Sequence, residues 1–200
     1  GTRFSLADDL EPSPTWFYRL RAGIDLGPHS FFLLYAPLRV ESTGSFDENV
    51  NFKGASFGAG ENVTGTFTFN SYRFSYAYTF LERRRIRLAA GVTAKIRDAY
   101  IALESDNTDA KRANLGFVPL IHLKARWFFA PRLSILLEAD ALAAPQGRAE
   151  DALLAAVYAV TPALEARIGY RLLEGGSDGG GSVYTFSTFH YATAGVRWRF

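Results

Sequence analysis

Three histidines, with neither cysteine nor methionine anywhere, bound the side-chain chemistry open to this 200-residue chain. Without a thiol there is no nucleophilic cysteine, disulfide framework or CxxC zinc site. Histidine is the side chain that most readily moves protons near neutral pH, so His29, His122 and His190 are the places to look for catalysis. His29 follows Pro28 in a tight turn and is expected in solvent. His122 stands beside Lys124 and Arg126, as a buried base or as one member of an interior hydrogen-bond network. His190 lies toward the loop end of the last strand, on its apolar register. Acidic pairs occur at Asp47 and Glu48 and at Asp106 and Asp109, without the regular spacing of a calcium loop. The glycine-rich stretches GASFGAG and GGSDGGGS lack the strand–loop–helix setting of a phosphate cradle. No catalytic residue, cofactor site or metal site is assigned on these grounds, and the expectation is that the chain is not an enzyme.

What stands out instead is where the charge lies. The 18 arginines far outnumber the four lysines, yet the net charge is only +2, too small to argue for a nucleic-acid partner. Many of these arginines sit inside apolar segments that alternate with a period of two, the signature of a strand with unlike faces. IRLAAGVTAKIRDAY places Ile86, Leu88, Val92 and Ile96 on one face and Arg87, Thr93, Lys95 and Arg97 on the other. RFSYAYTF, LGFVPLIHLKARWFF, LSILLEADALA and ALEARIGYRLL alternate in the same way, and so does the C-terminal HYATAGVRWRF. DALLAAVYAV is apolar on both faces; its neighbours place it as a strand.

The connections alternate too. Gly27-Pro28-His29, Leu81 to Arg85, Ala130-Pro131-Arg132 and Thr161-Pro162 read as tight turns. STGSFDENVNFKGASFGAGEN, ESDNTDAKRAN, APQGRAED and EGGSDGGGS read as long polar loops. Antiparallel neighbours joined by hairpins give this pattern when one end of the sheet carries turns and the other loops. Nine segments are clear, the first near Trp16 and the last near Val183. A closed antiparallel barrel needs an even number, which the alternation of GTRFSLA supplies as a tenth strand, with Glu11 to Thr15 as a loop. Residues 1–200 are thus expected to form a single all-β domain, an up-and-down antiparallel barrel of ten strands, with eight as the alternative. The start at Gly1 and the lack of Met suggest a processed form whose signal peptide is gone.

Lipid outside, rather than a dry core inside, accounts for three features. Charge recurs in mid-strand on the polar face. Aromatics such as Tyr78, Phe80, Trp127, Phe129, Trp198 and Phe200 collect beside the tight turns, as an interfacial girdle would. Segments near ten residues suit tilted strands crossing a bilayer. A soluble barrel or sandwich explains the alternation but neither the turn asymmetry nor the clustered aromatics. The barrel is therefore expected to be transmembrane, with short periplasmic turns and long extracellular loops.

The last eight residues, TAGVRWRF, resemble the C-terminal assembly signal of Gram-negative outer-membrane β-barrel proteins, with Thr193, Gly195, Trp198 and Phe200 at its four specified positions. The resemblance implies a bacterial outer-membrane location, surrounding lipid and lipopolysaccharide, and the barrel-assembly machinery as a partner during biogenesis. HYATAG is similar to the His-x-Ser-Asn neighbourhood of the lipid A 3-O-deacylases, but Ala192 and Thr193 stand where that mechanism needs its nucleophile and the residue after it. No Asp-x-His pair occurs, as the ten-stranded outer-membrane aspartyl proteases would require.

Interior charge is the remaining signal. Arg87, Lys95, Lys124, Arg126, Arg167 and Arg197, with Glu138, Asp140 and Glu165, are expected to line the lumen, bases exceeding acids about two to one across the whole inner face. They read as a network that fills the barrel, the chain serving a structural or loop-mediated role. The alternatives are a narrow anion-favouring, porin-like path and, further off, an outer-membrane hydrolase. Loop 42–62 carries Phe46, Phe52 and Phe57, which either fold over the mouth or meet an extracellular partner.

Overall fold

The computed structural model describes residues 1–145, 147–178 and 184–200. No helix occurs among them. The strands are β1 (Glu11–Pro12), β2 (Leu20–Leu26), β3 (His29–Ala36), β4 (Arg39–Ser45), β5 (Val50–Phe52), β6 (Ala55–Phe57) and β7 (Asn62–Glu82). They continue with β8 (Ile86–Glu104), β9 (Asp109–Phe128), β10 (Leu133–Ala144), β11 (Gly147–Ala159), β12 (Leu164–Asp178) and β13 (Tyr184–Trp198). Eleven belong to one sheet, in which β7 to β13 lie side by side in chain order as an antiparallel meander. The long β7 takes two partners end to end: β4, in register from Arg39↔Thr68 to Ser45↔Asn62, and β3. Pro37 lacks the N–H a ladder needs and splits β3 from β4. Leu38 nonetheless keeps the pairing, donating to and accepting from Phe69.

By contact the chain groups into two compact units. The first comprises Gly1–Ala22, Leu33–Arg73 and Lys95–Val118; the second comprises Gly23–Phe32, Phe74–Ala94 and Pro119–Phe200.

In the first unit the expected N-terminal strand is absent. Ser5 accepts and donates within a turn, its amide bonding Asp9 at 2.7 Å and its hydroxyl Asp8 at 2.8 Å. Such side-chain bonds offer the backbone an alternative to a ladder, and the turn brings Leu6 and Leu10 inward instead. They meet loop 42–62, whose middle is not irregular: β5 and β6 pair across Lys53 (φ 51°) and Gly54 (φ 89°), successive left-handed residues as a tight two-residue hairpin needs. Leu10, Phe46, Val50, Phe52, Phe57, Val63, Leu103 and Ala110 form one buried cluster, with Phe4 and Leu6 against it. The Phe4 ring meets Phe46 and Phe52 edge-on, at 5.7 and 5.4 Å. The three loop phenylalanines therefore fold inward, and a partner meeting this loop would meet its polar residues.

The other connections are shorter than their composition suggests. Strand β8 runs through Glu104 and β9 starts at Asp109, so most of ESDNTDAKRAN is hairpin arm. Likewise β11 begins at Gly147, within APQGRAED. Backbone pairing holds these polar arms together with cross-strand side-chain contacts, Arg97 with Asn114, Lys111 over the Tyr100 ring and Arg148 with Glu174. Gln146, residues 179–182 of the glycine-rich loop, and Val183 lie outside the described residues.

In the second unit the expected alternation is seen with the faces reversed from a soluble protein. Ser75, Thr93, His122, Arg126, Asp140 and Glu165 are buried, whereas Phe80, Ile121, Trp127, Ile168, Val196 and Trp198 are exposed. The ambiguous DALLAAVYAV is a strand, with Leu153, Ala155 and Val157 packed inward on Leu136. Contacts that skip strands, such as Arg126 of β9 to Glu165 of β12, show that the sheet of this unit curls around its polar face. Glycine permits the close approach this needs: a Cβ on Gly91 would lie 1.9 Å from the Tyr76 carbonyl oxygen, and one on Gly169 would lie 2.3 Å from that of Leu154.

Phe57 is fully buried in the first unit. Phe57→Ala is expected to cost about 3–5 kcal/mol there, read as faster protease cleavage and amide exchange within residues 46–61; Lys53→Ala should leave both rates near those of the parent.

Glu61 bonds the Ser105 side chain and accepts the Gly58 amide at 2.8 Å, and these bonds hold its carboxyl below the usual glutamate range. A lowered folded pKa means the anchoring is complete above the ordinary carboxylate range and fades as pH falls through the folded value. Exchange of the Gly58 amide should therefore rise on acidification beyond its intrinsic pH trend, and Glu61→Gln should abolish that excess.

Candidate functional site

Cross-strand neighbours on the inner face of the second unit build the site. In an antiparallel ladder, residues directly opposite share a face, so β9 and β10 set His122 against Asp140 and Lys124 against Glu138. His122 Nδ1 donates to Asp140 Oδ1 at 2.8 Å, and Thr93 Oγ1 of β8 donates to the same oxygen at 2.9 Å. Thr93 thus accepts from Ser75 Oγ of β7 at 2.6 Å. Four strands are tied by one chain of polar atoms, Ser75–Thr93–Asp140–His122. The far nitrogen, His122 Nε2, is buried without a hydrogen-bond partner, and the Phe32 ring stands edge-on 5.3 Å from the imidazole.

Histidine bonded to aspartate is half of a hydrolytic triad, and the other half needs a nucleophile at Nε2. Here both hydroxyls lie on the carboxylate side of the imidazole. The arrangement orients buried polar groups and places neither Ser75 nor Thr93 at Nε2.

A second cluster lies toward the tight turns. Arg126 grips Glu165 with both terminal nitrogens, at 2.9 and 3.2 Å, while its Nε donates to Ser134 at 2.9 Å. Arg199 adds a third nitrogen to the same carboxylate at 2.9 Å. A forked guanidinium matched to a carboxylate is the strong form of this pair. Arg171 and Asp151 form a third, fully buried pair, and Arg197 reaches Asp25 of β2 at 3.2 Å.

The expected lumen residues divide accordingly. Arg126, Asp140, Glu165 and Arg197 are paired as described, and Glu138 is buried opposite Lys124. Arg167 lies over Gly195, its cross-strand partner, where a Cβ would come within 3.2 Å of its Nε. Lys95 belongs to the first unit, buried with its ammonium 4.6 Å above the Phe69 ring. Arg87, partly buried near the turn at 83–85, pairs with Glu82. Among the described residues the buried charges are even in number, Arg73, Lys95, Arg126 and Arg171 against Glu138, Asp140, Asp151 and Glu165, while Lys124, Arg167 and Arg197 are partly buried.

The assembly-signal positions fall on β13 and just past it. Thr193 and Gly195 face half-inward, whereas Trp198 and Phe200 are exposed, their rings edge-on at 6.2 Å. His190 is on the outer face and bonds the Tyr170 hydroxyl; His29, also exposed, bonds Tyr76 at 2.9 Å.

No family model, no curated protein and no solved structure matches this chain.

Sequence reasoning missed Asp151 with Arg171, and the serine and threonine that extend the His122 pair. Asp151 lies within an Ala-rich strand whose apolar residues fit either face, and its own need for a partner was the available signal for phase. A cleft of about 600 Å3 in the first unit, lined by Glu11, Asn62, Thr64, Glu104 and Asp106 among others, is acidic. No group of three acidic, histidine or cysteine ligands able to hold a metal occurs among the described residues.

Glu165→Gln should leave Arg126 buried against a neutral amide and cost about 3–5 kcal/mol, read as a lower denaturant midpoint. Replacing the pair together, Arg126→Met with Glu165→Leu, should recover most of that loss.

Proposed function

We propose that this chain is an integral outer-membrane β-barrel with a filled interior, acting as a structural or interaction protein rather than an enzyme. The reversal of burial in the second unit carries the reading. Aliphatic and aromatic side chains stand exposed on strand after strand while arginines, carboxylates and hydroxyls are buried behind them. In water this arrangement wastes apolar burial, at roughly 25 cal/mol per Å2; in a bilayer it is the stable one. In lipid every backbone polar group needs a partner, and an open edge would be costly. The reading therefore includes full closure, with β2 and β13 brought edge to edge as the Asp25–Arg197 pair suggests. It also takes TAGVRWRF as an assembly signal read by the barrel-assembly machinery, with lipopolysaccharide and outer-membrane lipid as surroundings.

One observation favours a filled interior over a conducting path: inner-face charges of the second unit are engaged with one another. Four buried bases stand against four buried acids among the described residues, which favours mutual pairing over a path lined by surplus arginine. The Ser75–Thr93–Asp140–His122 chain holds four strands in register and gives the barrel rigidity.

Refolded into detergent or lipid, the protein should run on an unboiled gel at a mobility different from the boiled sample, and planar bilayers containing it should show no discrete conductance. Anion-selective steps would replace the structural role with transport. A soluble monomer without heat shift would remove the membrane reading.

A further inference from the structure

The turns of the second unit form a stitched row. Thr79 of β7 donates to Pro28 O, Phe128 of β9 to Arg85 O, Ala159 of β11 to Arg132 O, and Arg199, past β13, to Ala163 O, each at 2.8 Å. Each turn therefore lies against the end of a strand that carries exposed apolar side chains. Phe80 and Tyr78 stand beside the first turn, Trp127 and Phe129 beside the second, Tyr158 and Val160 beside the third, and Trp198 and Phe200 beside the fourth.

Charge on this row is one-sided. Arg83, Arg84, Arg85 and Arg132 are exposed in the turns, and no ion pair engages any of them among the described residues. The carboxylates nearby are already taken: Glu82 by Arg87, Asp25 by Arg197, and Glu165 by Arg126 and Arg199. What remains is a set of unneutralised guanidiniums directly beside a belt of exposed aromatic rings. Guanidinium groups pair with phosphate through two parallel hydrogen bonds, and the rings suit the level of a bilayer where headgroups meet acyl chains.

We infer that this turn row is a docking rim for anionic glycerophospholipid, with Arg83, Arg84, Arg85 and Arg132 on the headgroup phosphates and Trp127 and Trp198 against the upper acyl chains. The inference rests on the membrane reading above. It assigns the arginine-rich turns a role in choosing the lipid that surrounds the protein at this end. Glutamine at the four arginines would remove the charge while keeping length and polarity.

The test uses the full chain with Trp16→Phe, so that fluorescence reports Trp127 and Trp198, refolded into vesicles that mix phosphatidylcholine and phosphatidylglycerol. Bromine is placed on the acyl chains of one lipid or the other, and quenching measures which lipid lies beside the tryptophans. The parent should show phosphatidylglycerol enriched there on the order of five-fold, what one surface arginine is worth, falling as salt is raised. Arg83→Gln, Arg84→Gln, Arg85→Gln and Arg132→Gln together should erase the enrichment while the heat-shifted band persists. The matching four lysine substitutions should keep most of it and serve if the glutamine variant fails to fold, the inference then standing or falling on the parent's salt dependence. Equal quenching by both lipids in the folded parent, or an enrichment that the glutamine variant keeps, overturns the inference alone. No heat-shifted band in any vesicle overturns the membrane reading and this inference with it.

Discussion

Charge buried on the inner face of the second unit has to find its opposite, and the arrangement of strands β7 to β13 is organised around that need. An isolated buried carboxylate or guanidinium costs several kcal/mol. Arg126 is therefore held by Glu165 and Ser134 at once, and Glu165 by a second arginine. Asp140 is likewise shared between His122 and Thr93. Arg126–Glu165 and Thr93–Asp140 skip strands, so they fix how far the sheet must curl, while bonds between neighbours such as His122–Asp140 fix register. A slip of one residue would turn every one of these groups outward.

The first unit solves a different problem with apolar means. Its loop phenylalanines, a hairpin closed by Lys53 and Gly54, and the N-terminal turn supply most of the large side chains of its buried cluster. Leu103 and Val63 come from the long strands β8 and β7; Phe46, with Phe52 of β5 and Phe57 of β6, comes from loop 42–62, and Leu10 from the N-terminal turn. One chain therefore uses two kinds of filling, charged where the wall itself supplies side chains and aromatic where loops do.

The alternating segments were legible because a period of two survives when the faces are reversed. Trp127 and Arg126, or Val92 and Thr93, announce opposite faces whichever side holds water. Which side is inside was legible only through the charged residues in mid-strand. Other features were hidden for physical reasons. Polar composition does not separate a loop from a hairpin arm held by its backbone ladder and a few cross-strand side-chain contacts, so Asp109 to Asn114 read as loop. Phe4 and Leu6 alternate like a strand, yet Ser5, Asp8 and Asp9 divert the backbone into a turn. The partner of Asp151 is 20 residues away and pairs across a strand boundary that apolar periodicity leaves undefined.

The Asp25–Arg197 contact joins residues 172 apart in sequence. Contacts so distant cannot form early, since the loop they close carries the largest entropic penalty in the chain. Hairpins such as those closed at 27–28, 53–54 and 83–85 span two or three residues and form locally, while the Asp25–Arg197 pair waits for nearly the whole chain. Among the described pairings β2 has β3 alone, so its other edge presents unpaired backbone groups to any extended strand nearby. The timing of so late a contact therefore bears on aggregation as well as on stability.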